Sequence, residues 1–242
     1  MALIELENVD LEYPIYGASS RSFKSTLLNA ATGGVLKNQE KILNVQALNN
    51  LTLKLKEGDR LGLVGHNGAG KSSLLRLLAQ IYAPSSGKFR VSGKTSCLFD
   101  VMVGLDPFQS GMENIKLRGL ISGLSRKKIE KAIPEIAEFA ELGEFIKMPL
   151  RTYSSGMLLR LGFSIVTHFR TDILLIDEVV NVGDADFIEK AKQRMKELID
   201  ETKIVVISTH DDRIIQEFCN RILCLEHGRV KFLGPIDEFY NR

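Results

Sequence analysis

The apolar positions change period several times along the 242 residues. Over residues 2–13, Ile4 and Leu6 alternate with polar neighbours and Tyr13 stands near the end, which predicts a short strand. Alternation returns over 46–56 at Leu51, Leu53 and Leu55 and stops at the turn Glu57-Gly58-Asp59. Between the two, residues 16–45 are rich in Ser, Gly, Asn and Lys and predict a surface insertion, with a short helix around 23–31. Residues 61–64 form a short apolar strand, followed by a Gly-rich turn and a helix. In that helix Leu74, Leu75, Leu77, Leu78 and Ile81 make one buried face, which Pro84-Ser85-Ser86-Gly87 closes. From about 106 to 170 the period is helical. One stripe there holds Ile129, Ile133, Ile136, Ala137 and Ala140, with Pro134 inside it as a kink or a restart. Two unbroken apolar runs, 173–176 and 204–207, flank a charged helix at about 186–200. Such runs alternating with helices are the mark of strands buried on both faces of a parallel sheet, so an α/β fold is expected.

Composition narrows this little. Apolar residues make up 44%, enough for one large core. The formal charge is +2, from 32 basic and 30 acidic residues, and gives no reason to expect nucleic acid as a partner. Three cysteines, Cys97, Cys219 and Cys224, make no disulfide framework and fit a reducing compartment. A metal site at Cys219, Cys224 and His227 is the alternative, but these cysteines stand in a mainly apolar stretch and packing is expected. The first residues, MALIELENVD, carry acids where a secretory signal needs bases and an apolar run. No apolar run approaches the ~20 residues that span a bilayer. A soluble, cytoplasmic chain is therefore expected, with any membrane role supplied by a partner.

The chemistry starts at Gly65-His66-Asn67-Gly68-Ala69-Gly70-Lys71-Ser72, which fits G-x-x-x-x-G-K-[ST] between a strand and a helix. Glycines let successive backbone N–H groups turn toward phosphate oxygens, and the helix N-terminus adds its dipole. Lys71 is expected to reach the β/γ-phosphates of a nucleotide and Ser72 to hold Mg²⁺, with Ser73 completing the nucleotide-binding stretch. His66 occupies a variable position within it and reads as solvent-facing. The run 173–176 ends in Asp177-Glu178, at the carboxyl end of a strand where open α/β sheets bind ligands. Asp177 is expected to bind Mg²⁺ through water, and Glu178 to polarise the attacking water. His210, just past the next apolar strand, is positioned for the γ-phosphate.

Tyr153-Ser154-Ser155-Gly156-Met157, just upstream of Asp177-Glu178, makes the chain resemble the ABC ATPases, whose signature motif is usually written LSGGQ. The resemblance covers nearly the whole chain and implies a P-loop NTPase (RecA-like) core. That core has a mainly parallel sheet, a small antiparallel β region at the N-terminus and an inserted helical subdomain. One domain over 1–242 is then expected, with 1–105 and 171–242 as core and about 106–170 as helical subdomain. By the same resemblance Tyr13 stacks on adenine and Asp184, six residues past Glu178, is the D-loop acid. The family's usual Gln at the junction with the helical subdomain is missing from Cys97-Leu98-Phe99-Asp100-Val101-Met102. Asp100 is the best match there, as a group that orients water or meets Mg²⁺. Gln109 stands too close to Glu113-Asn114 to be the counterpart.

Ser-Ser-Gly-Met in the signature, Val-Gly-Asp at 182–184 and Gly111-Met112-Glu113-Asn114 are similar to cassettes that export bacterial O-antigen, capsule or teichoic acid. The resemblance implies an ATPase homodimer closing around two ATP molecules, with the signature of one copy facing the ATP of the other. It also implies integral-membrane permease subunits, a lipid-linked polysaccharide as cargo, and a place on the cytoplasmic face of the bacterial inner membrane. Some members of that group carry an added carbohydrate-binding domain, which is not expected in a chain ending at Arg242. The permease groove is expected near 98–118. Lys116, Arg118, Arg126, Lys127, Lys128 and Lys131 face the permease, anionic lipid or only solvent. Two rivals fit less well. A soluble ABC ATPase of the repair type needs a long coiled coil where this chain has only about 80 residues between Lys71 and the signature. A P-loop GTPase or small-molecule kinase leaves 153–157 unexplained.

Overall fold

The computed structural model describes residues 1–15, 43–99, 101–177 and 185–241. Most of the expected insertion, including its helix at 23–31, lies outside the described residues. Two sheets organise the rest. In the first, β1 (Leu3–Ile15) lies between β2 (Leu43–Lys56) and β4 (Ser86–Ser92), antiparallel to both. Strand β2 therefore takes in residues 43–45, which the composition had placed in the insertion. The pairing of Tyr13 with Val45 fixes their register.

The second sheet has the order β5-β6-β7-β3-β8-β9, from β3 (Arg60–Val64), β5 (Thr95–Cys97), β6 (Ile173–Asp177), β7 (Ile204–Ser208), β8 (Arg221–Glu226) and β9 (Arg229–Pro235). All its pairings are parallel except β8 with β9. The fold is thus α/β with a mostly parallel sheet and a small antiparallel one. Every residue of β7 and residues 173–176 of β6 are buried, as the unbroken apolar runs require of central strands. Strand β3 sits between β7 and β8, so the loop leaving its carboxyl end emerges near the middle of that sheet.

Helix α1 (Lys71–Leu78) buries Leu74, Leu75, Leu77 and Leu78, each worth about 1.5–3 kcal/mol of transfer free energy. Ile81 departs from the expected stripe. The helix stops at Leu78, Gln80 takes a left-handed φ of 60°, and Ile81 is left exposed.

Helices α2 (Gly111–Ile121), α3 (Arg126–Ala140) and α4 (Ser155–His168), with short 3₁₀ turns at Gly143–Lys147 and Leu150–Thr152, gather a hydrophobic cluster of their own. It contains Ile115, Ile136, Ala140, Leu150, Leu161 and Ile165. Pro134 does not restart α3, which runs through it unbroken. It and Glu130, whose carbonyl loses its helical donor, are both exposed, so water can take that bond. Helices α5 (Ala185–Glu201), α6 (Asp212–Phe218) and α7 (Ile236–Tyr240) complete the described elements. None of the described helices is long and apolar enough to cross a membrane.

Candidate functional site

The turn from β3 into α1 is held by glycines at positions where a side chain has no room. Gly65 has φ 149°, and a Cβ there would come within 2.4 Å of the Leu225 carbonyl oxygen. Gly70, the N-cap of α1, has φ 107°, and its Cβ would come within 2.7 Å of the Ala47 carbonyl oxygen. The β8–β9 hairpin supports the loop from below, where the Gly228 amide donates to the Ala69 carbonyl at 2.9 Å. Within the loop, the Lys71 ammonium donates to the carbonyls of Gly65 (2.6 Å) and His66 (3.2 Å).

Above it opens a cavity of about 580 Å³. Its walls bring together Tyr13, Asn67, Gly68, Gly70, Lys71, Ser72, Ser73, Asp177 and His210, residues singled out in the sequence across almost 200 positions. The Ser72 hydroxyl donates to Asp177 Oδ2 at 2.7 Å. A hydroxyl and a carboxylate side by side are the hard oxygen donors Mg²⁺ prefers, so these residues fit that ion. Gly65 and Ala69 form the underside of the loop rather than the cavity wall. The exposed His66 turns away as well, its ring 4.7 Å from that of His227 and its Nδ1 2.8 Å from the Asn67 carbonyl oxygen. Lys231 donates to Glu226 at 3.0 Å beside this pair and holds the Glu226 carboxyl below its usual range, with His227 and His66 adding to the effect.

Val45, Gln46, Ala47, Arg76 and Phe99 line the same cavity and were not foreseen. Nor was Tyr82, whose ring meets Tyr13 edge-on at 5.1 Å and 67°. Burial raises the Tyr13 phenol pKa. Glu178, Asp184 and Asp100 lie outside the described residues.

The segment 153–157 divides into an inward and an outward part. Tyr153 is buried, and its hydroxyl donates to the Phe145 carbonyl at 2.6 Å, so it serves the local packing rather than the surface. Ser154 is the N-cap of α4, accepting from the Met157 amide at 3.2 Å. Met157 packs against the helical cluster. Ser155 and Gly156 remain in the first turn, and a Cβ on Gly156 would meet only Ser154 Oγ, at 3.9 Å. Nothing among the described residues requires that glycine.

The stretch Gly111-Met112-Glu113-Asn114 supports this segment from behind. A Cβ on Gly111 would fall 2.7 Å from the Tyr153 hydroxyl and from Ile146 Cδ1. Glu113 and Ser110 form a reciprocal cap, in which the Ser110 hydroxyl holds the Glu113 carboxyl below its usual range. Asn114, fully buried, accepts from the Asp106 amide (2.7 Å) and donates to the carbonyls of Asp106 (3.0 Å) and Ser110 (2.9 Å). The Gln109 amide, oriented to donate, faces the Glu113 carboxylate at 2.9 Å. Arg118 departs from the expected surface cluster, because its guanidinium is half-buried and donates to the Val103 carbonyl at 2.6 Å.

Comparison with known proteins places the chain among relatives that match most of its length. The family model described as ABC transporter matches residues 48–181. The O-antigen export system ATP-binding protein RfbE of Yersinia enterocolitica is 46% identical over 231 residues, covering 95% of this chain and 97% of its own. The teichoic acids export ATP-binding protein TagH of Lactococcus lactis subsp. lactis is 39% identical over 210 residues, 87% of this chain. The match takes in 45% of that relative, so the chain spans about half its length. Among solved structures, the ATP-binding cassette MJ0796, in a dimeric post-hydrolysis state bound to ADP and Pi, superposes with a TM-score of 0.70 at 23% identity. That match covers 96% of this chain and 98% of the other, and likewise supports the fold.

Proposed function

Because the chain belongs to the ABC transporter family, we propose that it is the ATP-hydrolysing subunit powering export of a lipid-linked polysaccharide, of the O-antigen or teichoic-acid kind, through a separate membrane permease. The observation that carries the reading is the cavity in which Lys71, Ser72, Asp177 and His210 converge, with Ser72 and Asp177 already hydrogen-bonded. The cargo is inferred from the names of the relatives and from the variant motifs at 111–114 and 153–157.

In this reading the backbone N–H groups of the loop and Lys71 bind the phosphates of ATP, and His210 meets the γ-phosphate from the end of β7. Ser72 and Asp177 would hold Mg²⁺, which would supply charge neutralisation at the phosphates. Glu178 polarises the attacking water, Asp100 takes the place of the family's Gln, and Asp184 acts at the contact between two copies. Tyr13 contributes the aromatic face for adenine. Two copies close head to tail, so that Ser155 and Gly156 of one complete the cage around the phosphate held by the other. ATP then acts as a ligand that favours the closed pair through contacts the open pair lacks. Core (1–105 and 171–242) and helical subdomain (about 106–170) would frame the permease groove at the cytoplasmic face of the inner membrane.

Complementation tests this. A strain lacking the subunit should accumulate undelivered polymer inside the cell, and the wild-type chain should restore surface polysaccharide. Lys71→Ala should restore none and should lose ATP binding when purified. Surface polymer restored by Lys71→Ala would reject ATP-driven export, and unchanged surface polymer in the deletion strain would reject the cargo.

A further inference from the structure

Five basic side chains, Lys116 on α2 and Arg126, Lys127, Lys128 and Lys131 on α3, are exposed around the turn joining these helices. None of the five makes an ion pair among the described residues. Lysines elsewhere on the surface differ: Lys147, Lys190 and Lys192 hold carboxylates at 2.7, 2.8 and 2.7 Å. The helix that carries Lys116 also presents apolar side chains that are left out of the core. Leu117, Leu120 and Ile121 are 38%, 51% and 66% exposed. A cleft of about 320 Å³ between α2 and α3 joins the two sets, lined by Lys116, Leu120, Arg126, Ile129 and Glu130. Glu130 is the single carboxylate among those five.

The bases do not serve α3 itself. Arg126, Lys127 and Lys128 fill its first turn, which holds no acidic residue, and cations there oppose the helix dipole. A surface that combines unpaired cations with protruding leucine and isoleucine side chains matches one solvent boundary in particular. Phosphate headgroups neutralise the charges while the acyl boundary takes the apolar side chains.

We propose that the α2–α3 turn docks on the anionic phospholipid surface of the membrane, giving the subunit a lipid contact of its own besides its contact with the permease. The proposal goes beyond the ATPase reading and does not depend on it, because the contact is read on the isolated subunit without nucleotide. Each basic residue close to an anionic bilayer strengthens binding about fivefold.

The test is sedimentation of the purified full chain with vesicles of phosphatidylcholine, with and without about a third of phosphatidylglycerol, at physiological salt. The chain should sediment with the anionic vesicles only. Arg126→Gln/Lys127→Gln/Lys128→Gln together should weaken that binding about a hundredfold. Leu120→Ser/Ile121→Ser should weaken it about tenfold. Neutralising Lys147 and Lys192 instead should leave it unchanged. All these side chains are exposed, so helicity and ATP binding serve as checks of the fold, and a loss of ATP binding by the wild-type chain would count against the ATPase reading alone. Equal sedimentation with neutral vesicles, or wild-type binding by the triple variant, overturns the proposal. So does a triple variant that still sediments with lipid but no longer co-purifies with the permease, which would assign the patch to an acidic segment of that protein.

Discussion

The Ser72 hydroxyl donates to Asp177 Oδ2 at 2.7 Å across a sequence separation of 105 residues. Parallel pairing makes that contact possible: β6 and β3 both flank β7, so their carboxyl ends lie on the same edge of the sheet. If the pair holds Mg²⁺ during hydrolysis, Asp177→Asn should keep the fold and most nucleotide affinity. It should lose about 100- to 1,000-fold in kcat, the cost of removing one preorganised charge-stabilising group. ATPase rates measured across a Mg²⁺ titration, beside a nucleotide-binding titration, check this. A wild-type rate at saturating Mg²⁺ would remove Asp177 from the site.

Asn114 carries a structural prediction. Its side chain is fully buried and ties the loop before α2 through the backbone of Asp106 and Ser110. Asn114→Ala leaves the partly buried Asp106 amide without its acceptor, while the Asp106 and Ser110 carbonyls keep the Gln109 and Asn114 amides as donors, and it should destabilise the protein by about 1–3 kcal/mol. Chemical denaturation monitored by circular dichroism would show it as a lower midpoint with an unchanged slope. An unchanged midpoint would mean that water replaces the whole network.

What could be read from the chain alone depended on how local each feature is. Spacing shows the phosphate loop, because its glycines, lysine and serine act within eight consecutive residues. Unbroken apolar runs show β6 and β7, because both faces of a central strand are buried. The rest needed partners distant in sequence. Gly228 is required by the close approach of the Ala47 carbonyl, Tyr82 packs on the cavity residue Tyr13, and His227 meets His66 only because the β8–β9 hairpin folds under the loop. Helix α1 looked one turn longer than it is, since Ile81 continues the periodicity while Gln80 breaks the backbone. Arg118 has the sequence setting of a surface cation, and its bond to the Val103 carbonyl, 15 residues away, leaves no local mark.

Cys219 offers a test of packing near β3. Its sulfur would lie 3.4 Å from a Cβ on Gly62, and burial pushes its pKa up to about 12. The native thiol therefore stays protonated at pH 8, while the unfolded thiol ionises near its ordinary value of about 8.5. Because the folded pKa is the raised one, the stability tied to this group is complete below about pH 8.5 and is lost as pH rises toward 12. Alkylation at pH 8 should leave Cys219 unmodified in the folded protein and label it in denaturant, as peptide mass spectrometry would show. Rapid native labelling would mean that the β3–α6 contact opens.

Gly156 separates folding from function most sharply. It lies in the first turn of α4, and a Cβ there meets nothing among the described residues closer than 3.9 Å. Alanine favours a helix over glycine by up to about 1 kcal/mol, so Gly156→Ala should leave the melting temperature unchanged or raise it slightly. Nucleotide binding by the single chain should also persist, since the cavity around Lys71 does not include Gly156. ATP hydrolysis should nonetheless fall about tenfold or more, because the added methyl group stands where the proposed partner's phosphate must approach. Gly156→Asp adds a negative charge at the same place and should abolish turnover. Melting curves, nucleotide titrations and ATPase rates on the same preparations decide the matter. If Gly156→Asp hydrolysed ATP at the wild-type rate, the composite site would be wrong, and the glycine would need an explanation within its own chain, where the structure offers none.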